Sequence, residues 1–123
     1  MYKLKIDTNK NRLSLSLIGT ISLEEAKKIR QTIESSLVQL SPGFNVVNDI
    51  SKMIHADDAA GIVLKEIIIL LVQHGVKKVV RIVGPSKTAL LQFANNSLQL
   101  EQYKISYVPS IEEAENLLNE VEN

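Results

Sequence analysis

Residues 44–83 read FNVVNDISKMIHADDAAGIVLKEIIILLVQHGVKKVVRIV, and this stretch decides the fold. It opens with a short apolar run over residues 44–49, which predicts a strand. Apolar residues then recur at helical spacing over residues 57–74, and Gly75 follows at the position of a helix C-cap. A second run over residues 78–83, rich in valine and isoleucine, predicts a buried strand. Strand, helix and strand in this order predict a parallel β-α-β unit.

Two half-buried strands are predicted ahead of this unit, because apolar and polar residues alternate there. The alternating apolar side chains are Tyr2, Leu4 and Ile6 in the first strand and Leu13, Leu15 and Leu17 in the second. Turn-forming residues over 8–11 separate the two strands and predict a hairpin, whose second strand should end at Gly19-Thr20. A capping box, Ser22-Leu23-Glu24-Glu25, then predicts a helix that stops before Ser41.

Beyond residue 83 the pattern predicts a helix, a strand and a last helix. The apolar positions of these elements are Leu90, Leu91, Ala94 and Leu98, then Tyr103, Ile105 and Tyr107, and finally Ala114, Leu117, Leu118 and Val121. A second capping box, Ser110-Ile111-Glu112-Glu113, opens the last helix. The whole order, β-β-α-β-α-β-α-β-α, predicts an α/β fold with a mixed, mostly parallel sheet, an N-terminal β-hairpin edge and about four helices.

The composition is that of one small cytoplasmic domain spanning residues 1–123, and 45% apolar residues supply one core. Fourteen basic and fourteen acidic side chains cancel, so no positive field is present to hold nucleic acid. The absence of cysteine excludes disulfides, thiolate metal sites and cysteine nucleophiles. The N-terminal residues lack the apolar run of a signal peptide, and Lys65 and Glu66 interrupt the longest apolar stretch, so no membrane insertion is expected.

Four segments of the chain carry a pattern that is found together in one known family. They are Leu17-Ile18-Gly19-Thr20-Ile21, Val46-Val47-Asn48-Asp49-Ile50-Ser51, Val80-Arg81-Ile82-Val83-Gly84-Pro85-Ser86 and Ser110-Ile111-Glu112-Glu113-Ala114. In order and spacing they resemble the STAS domain, the family of bacterial anti-sigma factor antagonists, over nearly the whole chain. The resemblance implies a STAS-like fold and a non-catalytic regulatory module. The partner that it implies is a kinase-like anti-sigma factor or a related signalling protein.

The resemblance also implies a partner-binding site at the start of the second helix, where the family carries Asp-Ser-Ser-Gly and a kinase phosphorylates the second serine. Asp57 matches the family's aspartate, whereas Asp58 replaces the first serine and Ala59 replaces the phosphorylated one. Gly61 lies one position later than the family's glycine. Asp58 supplies a permanent negative charge at a helix N-terminus, which favours such charge. The chain therefore resembles a branch of the family that lacks the phosphorylatable serine.

The predicted partner-binding site comprises a loop over residues 51–56 and the helix that follows it. Its residues are Ser51, Lys52, Met53, Ile54, His55, Asp57 and Asp58. Met53 and Ile54 are expected to supply apolar contact, and the two aspartates to supply charge complementarity towards a basic groove with apolar edges. A simpler role is compatible with this one, because aspartate is a favoured N-cap and first-turn residue.

The second helix carries two isoleucines, Ile62 and Ile69, that point nearly opposite to its core face. The core face is formed by Ala60, Val63, Leu64, Ile67, Ile68 and Leu71, which recur at helical spacing. Ile62 and Ile69 are either scattered surface residues or a contact strip for a partner or for a second copy of the chain, as a homodimer.

Catalytic, metal and cofactor sites are not predicted. His55 beside Asp57 and Asp58 resembles an acid–base cluster, but no nucleophile, oxyanion hole or third metal ligand accompanies it. Residues Ser86, Lys87 and Thr88 precede a predicted helix and are a candidate anion site, although they lack the order of a Walker loop. The favoured interpretation of these residues is a strand-to-helix turn with a serine or threonine cap.

An alternative function is a small-molecule carrier or sensor. The chain has two phenylalanines, three tyrosines and no tryptophan, so an apolar cavity between sheet and helices is conceivable. A ligand-sized internal pocket would favour this alternative.

Overall fold

The computed structural model describes residues 1–84 and 105–119 of the chain. The strands are β1 (Tyr2–Asp7), β2 (Arg12–Ile21), β3 (Asn45–Ala56), β4 (Lys78–Ile82) and β5 (Ile105–Val108). The helices are α1 (Leu23–Ser36), a 3₁₀ turn (Leu37–Gln39), α2 (Asp58–Gln73) and α3 (Ile111–Asn119). The predicted helix that carries Leu90, Leu91, Ala94 and Leu98 lies outside the described residues.

The five strands form one sheet in the order β1-β2-β3-β4-β5. β1 pairs with β2 in antiparallel fashion and the other neighbours are parallel, which confirms the predicted mixed sheet with a hairpin edge. Asn11 closes the hairpin turn with a φ of 52°, a conformation that asparagine tolerates. Its side chain also donates to the Ser41 carbonyl at 3.1 Å and accepts from the Ser41 amide at 2.8 Å.

Apolar clusters lie on both faces of the sheet, because neighbouring strand residues point to opposite sides. The larger cluster lies between the sheet and helices α1 and α2, and it includes Val46 and Val79. The smaller one contains Val47, Val80, Ile82 and Ala114, and it lies between the sheet and α3. The helices that follow β2 and β3 thus share one face, whereas α3 returns across the other.

The helix N-termini confirm the two predicted hydroxyl caps. The Ser22 hydroxyl accepts from the Glu25 amide at 3.2 Å, and the Ser110 hydroxyl accepts from the Glu113 amide at 3.2 Å. The Glu25 carboxylate does not complete its box by reaching back to Ser22. It contacts the amino nitrogen of Met1 instead, which ties α1 to the start of β1.

β3 is longer than the sequence analysis predicts. Residues 51–56 were expected to form a loop, but the strand continues to Ala56 and pairs with residues 18–21 at the end of β2. β2 accordingly reaches Ile21 rather than ending at Gly19-Thr20. Two register shifts in this pairing add residues to β3, so its buried side chains do not alternate regularly there. The irregular spacing of Ile50, Met53 and Ala56 hid the strand.

Candidate functional site

The candidate site lies where β3 ends and α2 begins. Asp57 is the N-cap of α2, as predicted for one of the two aspartates. Its amide donates to the Ile21 carbonyl at 3.2 Å, and its carbonyl accepts from the Gly61 amide at 2.8 Å. Its side chain makes no capping hydrogen bond. The main chain alone therefore fixes Asp57, which leaves the carboxylate exposed.

Asp57 and Asp58 place two negative charges on the surface at the start of α2. Both residues are exposed, and neither carboxylate has an ion pair or hydrogen bond to any residue in 1–84 or 105–119. A helix N-terminus stabilises negative charge through its free amides and its dipole. The two carboxylates are consequently charged groups whose counter-ion is left to solvent or to a partner.

Exposed isoleucines flank these aspartates in the chain. Ile54, near the end of β3, is 67% exposed, and Ile62, one turn after Asp58, is 66% exposed. Ile69 is 38% exposed, and its spacing from Ile62 by seven residues places the two on one face of α2. Both isoleucines lie on the side of α2 that carries Asp58, and Lys65 and Glu66 lie between them. Large apolar side chains rimmed by charge are typical of interaction surfaces.

The structure removes Met53 from the predicted site. Met53 is 1% exposed and belongs to the large apolar cluster under α1 and α2. The prediction that its side chain supplies apolar contact to a partner is therefore wrong. Its position on β3, rather than its residue type, buries the side chain. Neighbouring strand residues point to opposite faces of the sheet, and Met53 points to the face that packs against α1 and α2.

Lys52 and Ser51 both lie beside Asp49. Lys52 precedes Met53 and turns to the sheet face away from α1 and α2, where it lines a cleft with Lys3, Ser16 and Asp49. Ser51 is half-buried, and Asp49 Oδ1 accepts from its amide at 2.9 Å and from its hydroxyl at 2.6 Å. Sequence reasoning missed Lys3 and Ser16 as neighbours of Lys52, because strand register is not visible in the sequence.

Apart from Lys52, six of the predicted residues are exposed, and we call them the β3–α2 surface. They are the exposed residues Ile54, His55, Asp57, Asp58, Ile62 and Ile69. The surface combines apolar contact area with negative charge. In the described part of the chain no three His, Cys, Asp or Glu side chains are placed to hold a metal ion.

Other predicted features fall elsewhere. His74 lies at the far end of α2, where its Nδ1 is 2.9 Å from the Leu70 carbonyl oxygen. Ser86, Lys87 and Thr88 lie outside the described residues. No helix in residues 1–84 or 105–119 is long and apolar enough to cross a bilayer.

The interior offers little room for a ligand. A void of about 30 Å³ lies between the sheet and α1 and α2, with apolar walls and two polar side chains, Asn48 and Arg81. The Asn48 amide donates to the Leu15 carbonyl at 3.2 Å, and Arg81 is 2% exposed. This volume is roughly that of one water molecule. This void is thus not the ligand-sized internal pocket that would favour a carrier; a larger, open depression of about 370 Å³ lies at Lys77, Lys78, Ser106 and Leu117.

Solved structures share this architecture. No family model and no curated protein matches the sequence. An uncharacterized protein of the DUF3478 family from Shewanella loihica PV-4, with a SpoIIAA-like fold, matches with a TM-score of 0.70 and 16% identity, over 95% of this chain and 93% of that chain. The anti-sigma factor antagonist SpoIIAA in its unphosphorylated form matches with a TM-score of 0.64 and 16% identity, over 98% of this chain and 100% of that chain.

An anti-sigma factor antagonist from Mycobacterium paratuberculosis matches with a TM-score of 0.60 and 16% identity, over 96% of this chain and 94% of that chain. The matches span nearly the full length of each protein, so they concern the whole arrangement of strands and helices. The fold likeness to anti-sigma factor antagonists that the sequence motifs indicated is thereby confirmed. The chain has the SpoIIAA-like fold.

Proposed function

We propose that this protein is a non-catalytic regulatory module that binds a signalling protein through the β3–α2 surface. The observation that carries the proposal is the exposure of Ile54 and Ile62 on either side of the exposed Asp57 and Asp58 in the chain. Apolar side chains supply most of the binding energy of such contacts, and the charges select the partner and speed its approach. The partner is expected to carry a basic groove with apolar edges.

The comparisons support a regulatory role by analogy. Two of the matching structures are described as anti-sigma factor antagonists, and a kinase-like anti-sigma factor or a related regulator is accordingly the partner class that we propose. The module would act in the cytoplasm as a single domain. Because one fold can serve several functions, the surface itself has to be tested.

Regulation in this protein would differ from that of a phosphorylated relative. SpoIIAA is described in both an unphosphorylated and a phosphorylated form. Residues 57–61 of this chain read DDAAG and contain no hydroxyl group. A serine or threonine phosphate ester therefore cannot form in the first turn of α2, and a different regulator would act on this surface.

The test is affinity capture of the tagged protein from lysate of its own source cells, followed by a binding measurement with each captured protein in purified form. The double variant Asp57→Lys, Asp58→Lys reverses both charges of the surface. We expect it to weaken binding by about tenfold or more, since like charges then face the partner's basic groove.

The matched control is Lys27→Glu, Lys28→Glu, which reverses two exposed charges on α1 outside the surface. Circular dichroism spectra of all three proteins establish that they are folded. A partner that binds the wild type and the control equally, but not the aspartate variant, supports the proposal. Equal binding by all three proteins contradicts the surface, and capture of the chain alone contradicts the signalling partner in favour of self-association.

A further inference from the structure

A second polar site lies on the sheet face opposite α1 and α2. A cleft of about 70 Å³ opens over the middle of β2 and β3, and its walls are Lys3, Ser16, Leu17, Ile18, Asp49 and Lys52. It is about twice the volume that liquid water occupies per molecule, so it admits one small group rather than a whole cofactor.

Strand register brings the charged groups of the cleft together. Lys3 is paired with Ser16, and Ser16 is paired in turn with Asp49, so these side chains form one row across three strands. Lys52 is paired with Ile18 because β3 carries an extra residue between Asp49 and Lys52. Such a bulge turns a side chain in a new direction, and here it directs Lys52 into the same cleft.

Asp49 is held in place at the floor of the cleft. Its Oδ1 atom accepts from both the amide and the hydroxyl of Ser51, at 2.9 and 2.6 Å. Gly84 in turn lies against Ser51, where a side chain on Gly84 would collide with it. The carboxylate therefore keeps a fixed orientation without any cation bound to it among the described residues.

The two lysines and the serine complete an anion site. Within the described ranges, neither ammonium group forms an ion pair and the Ser16 hydroxyl makes no hydrogen bond. Two positive charges and one negative charge leave the cleft with a net charge of +1. An anion that also donates a proton satisfies all of these groups, because its charged oxygens meet the lysines and the serine while its O–H meets Asp49.

We propose that this cleft binds a protonated phosphate group, held by Lys3, Lys52 and Ser16 and recognised as protonated by Asp49. Inorganic phosphate retains a proton near neutral pH, whereas sulfate has the same shape but carries none. Sulfate would leave the Asp49 carboxylate facing an oxygen with no hydrogen between them, which is repulsive. The site is independent of the β3–α2 surface and of any protein partner.

The test is a titration of the ¹⁵N-labelled protein with sodium phosphate and with sodium sulfate at equal ionic strength, followed by amide chemical shifts. We expect saturable shifts at Lys3, Ser16 and Lys52 with phosphate, and at least about tenfold weaker binding of sulfate. Asp49→Asn keeps an oxygen that accepts from Ser51, so the variant should fold and should bind the two anions about equally. Lys3→Ala, Lys52→Ala should abolish the shifts, and Lys27→Ala on α1 should retain them.

O-phosphoserine in place of inorganic phosphate identifies the source of the group, provided that the titration is made below the second phosphate pKa of about 6, where the ester also keeps a proton. Saturable binding of both compounds indicates a site open to phosphomonoesters, and binding of inorganic phosphate alone indicates a site for the free ion. Equal affinity of the wild type for sulfate and phosphate would overturn the proposal. Non-saturating shifts spread over exposed lysines such as Lys27 and Lys28 would overturn it as well.

Discussion

Gly84 lies directly against Ser51, so that a methyl group on Gly84 would be 2.6 Å from the Ser51 Cβ and 3.2 Å from its Cα. Gly84 also has a φ of 53°, which L-residues adopt at a cost. The contact joins the segment just after β4 to the middle of the neighbouring parallel strand β3. Glycine is required at position 84 for two reasons: the backbone has a positive φ, and Ser51 leaves no space for a side chain.

Gly84→Ala should therefore destabilise the protein by about 2–4 kcal/mol, from left-handed strain together with overpacking. Urea unfolding gives the free energy of unfolding. Gly19→Ala is the matched control, because Gly19 has a φ of 70° but nothing lies within 4 Å of an added methyl group. We expect the control to lose about 1–2 kcal/mol. Equal losses in the two variants would show that the contact with Ser51 is unimportant.

Met53 and Ile54 provide a test of the length of β3. Met53→Ala should lower the free energy of unfolding by about 2–4 kcal/mol, since it empties part of the core. Ile54→Ala removes an exposed side chain and should change stability by less than about 0.5 kcal/mol. The Ile54 variant should instead weaken partner binding. The reverse order of stability losses would place Met53 on the surface and restore the loop of the sequence-based prediction.

Arg12 and Glu115 join β2 to α3. Arg12 Nη1 donates to both carboxylate oxygens of Glu115, at 2.8 and 3.1 Å, and the Arg12 side chain is only 8% exposed. Glu115→Gln should cost about 1–3 kcal/mol of unfolding free energy, because a largely buried guanidinium loses its counter-ion. Thermal or urea unfolding measures the loss.

Glu66→Gln serves as the comparison for that variant. Glu66 pairs with Arg30 at 2.7 Å, but both side chains are more than one-third exposed, Glu66 at 47% and Arg30 at 35%. Pairs of this kind contribute about 0–1 kcal/mol. If removal of Glu66 proves as costly as removal of Glu115, the burial of Arg12 does not determine the strength of its ion pair.

Asn11 holds the hairpin turn against the segment before β3. Asn11→Ala loses both hydrogen bonds to Ser41 and the preference of asparagine for a positive φ, so we expect a loss of about 1–3 kcal/mol. Asn11→Gly retains the backbone conformation and loses only the hydrogen bonds, and should be intermediate in stability. If the glycine variant is as stable as the wild type, the hydrogen bonds to Ser41 contribute nothing measurable.

Much of the fold was predictable because its signals are local. Alternation in β1 and β2, helical spacing in α2, the Ser22 and Ser110 caps and Gly75 each depend on residues close together in the chain. The extension of β3 was not predictable, because the extra residues at its register shifts break the alternation that marks a strand. Residues 51–56 were consequently interpreted as a loop, and Met53 was assigned to the surface.

The site was predictable only in part for the same reason. Asp57, Asp58 and Ile62 could be assigned from helix geometry alone, which fixes a cap and an outer face. The cleft around Asp49 could not, because Lys3 and Ser16 join it through the pairing of strands that are distant in sequence. The composition of such a cleft depends on strand register. The hydrophobic pattern limits the possible registers but does not identify which residues are paired.

The continuation of β3 through Ala56 also affects the cost of association. The backbone that presents Ile54 and His55 is already fixed by pairing with the end of β2, whereas a loop would have to lose conformational freedom when a partner binds. Ordering a free segment consumes part of the binding free energy at each residue. A partner of this surface should therefore bind a preformed strand. The entropy of association should resemble that of two folded proteins rather than that of coupled folding and binding.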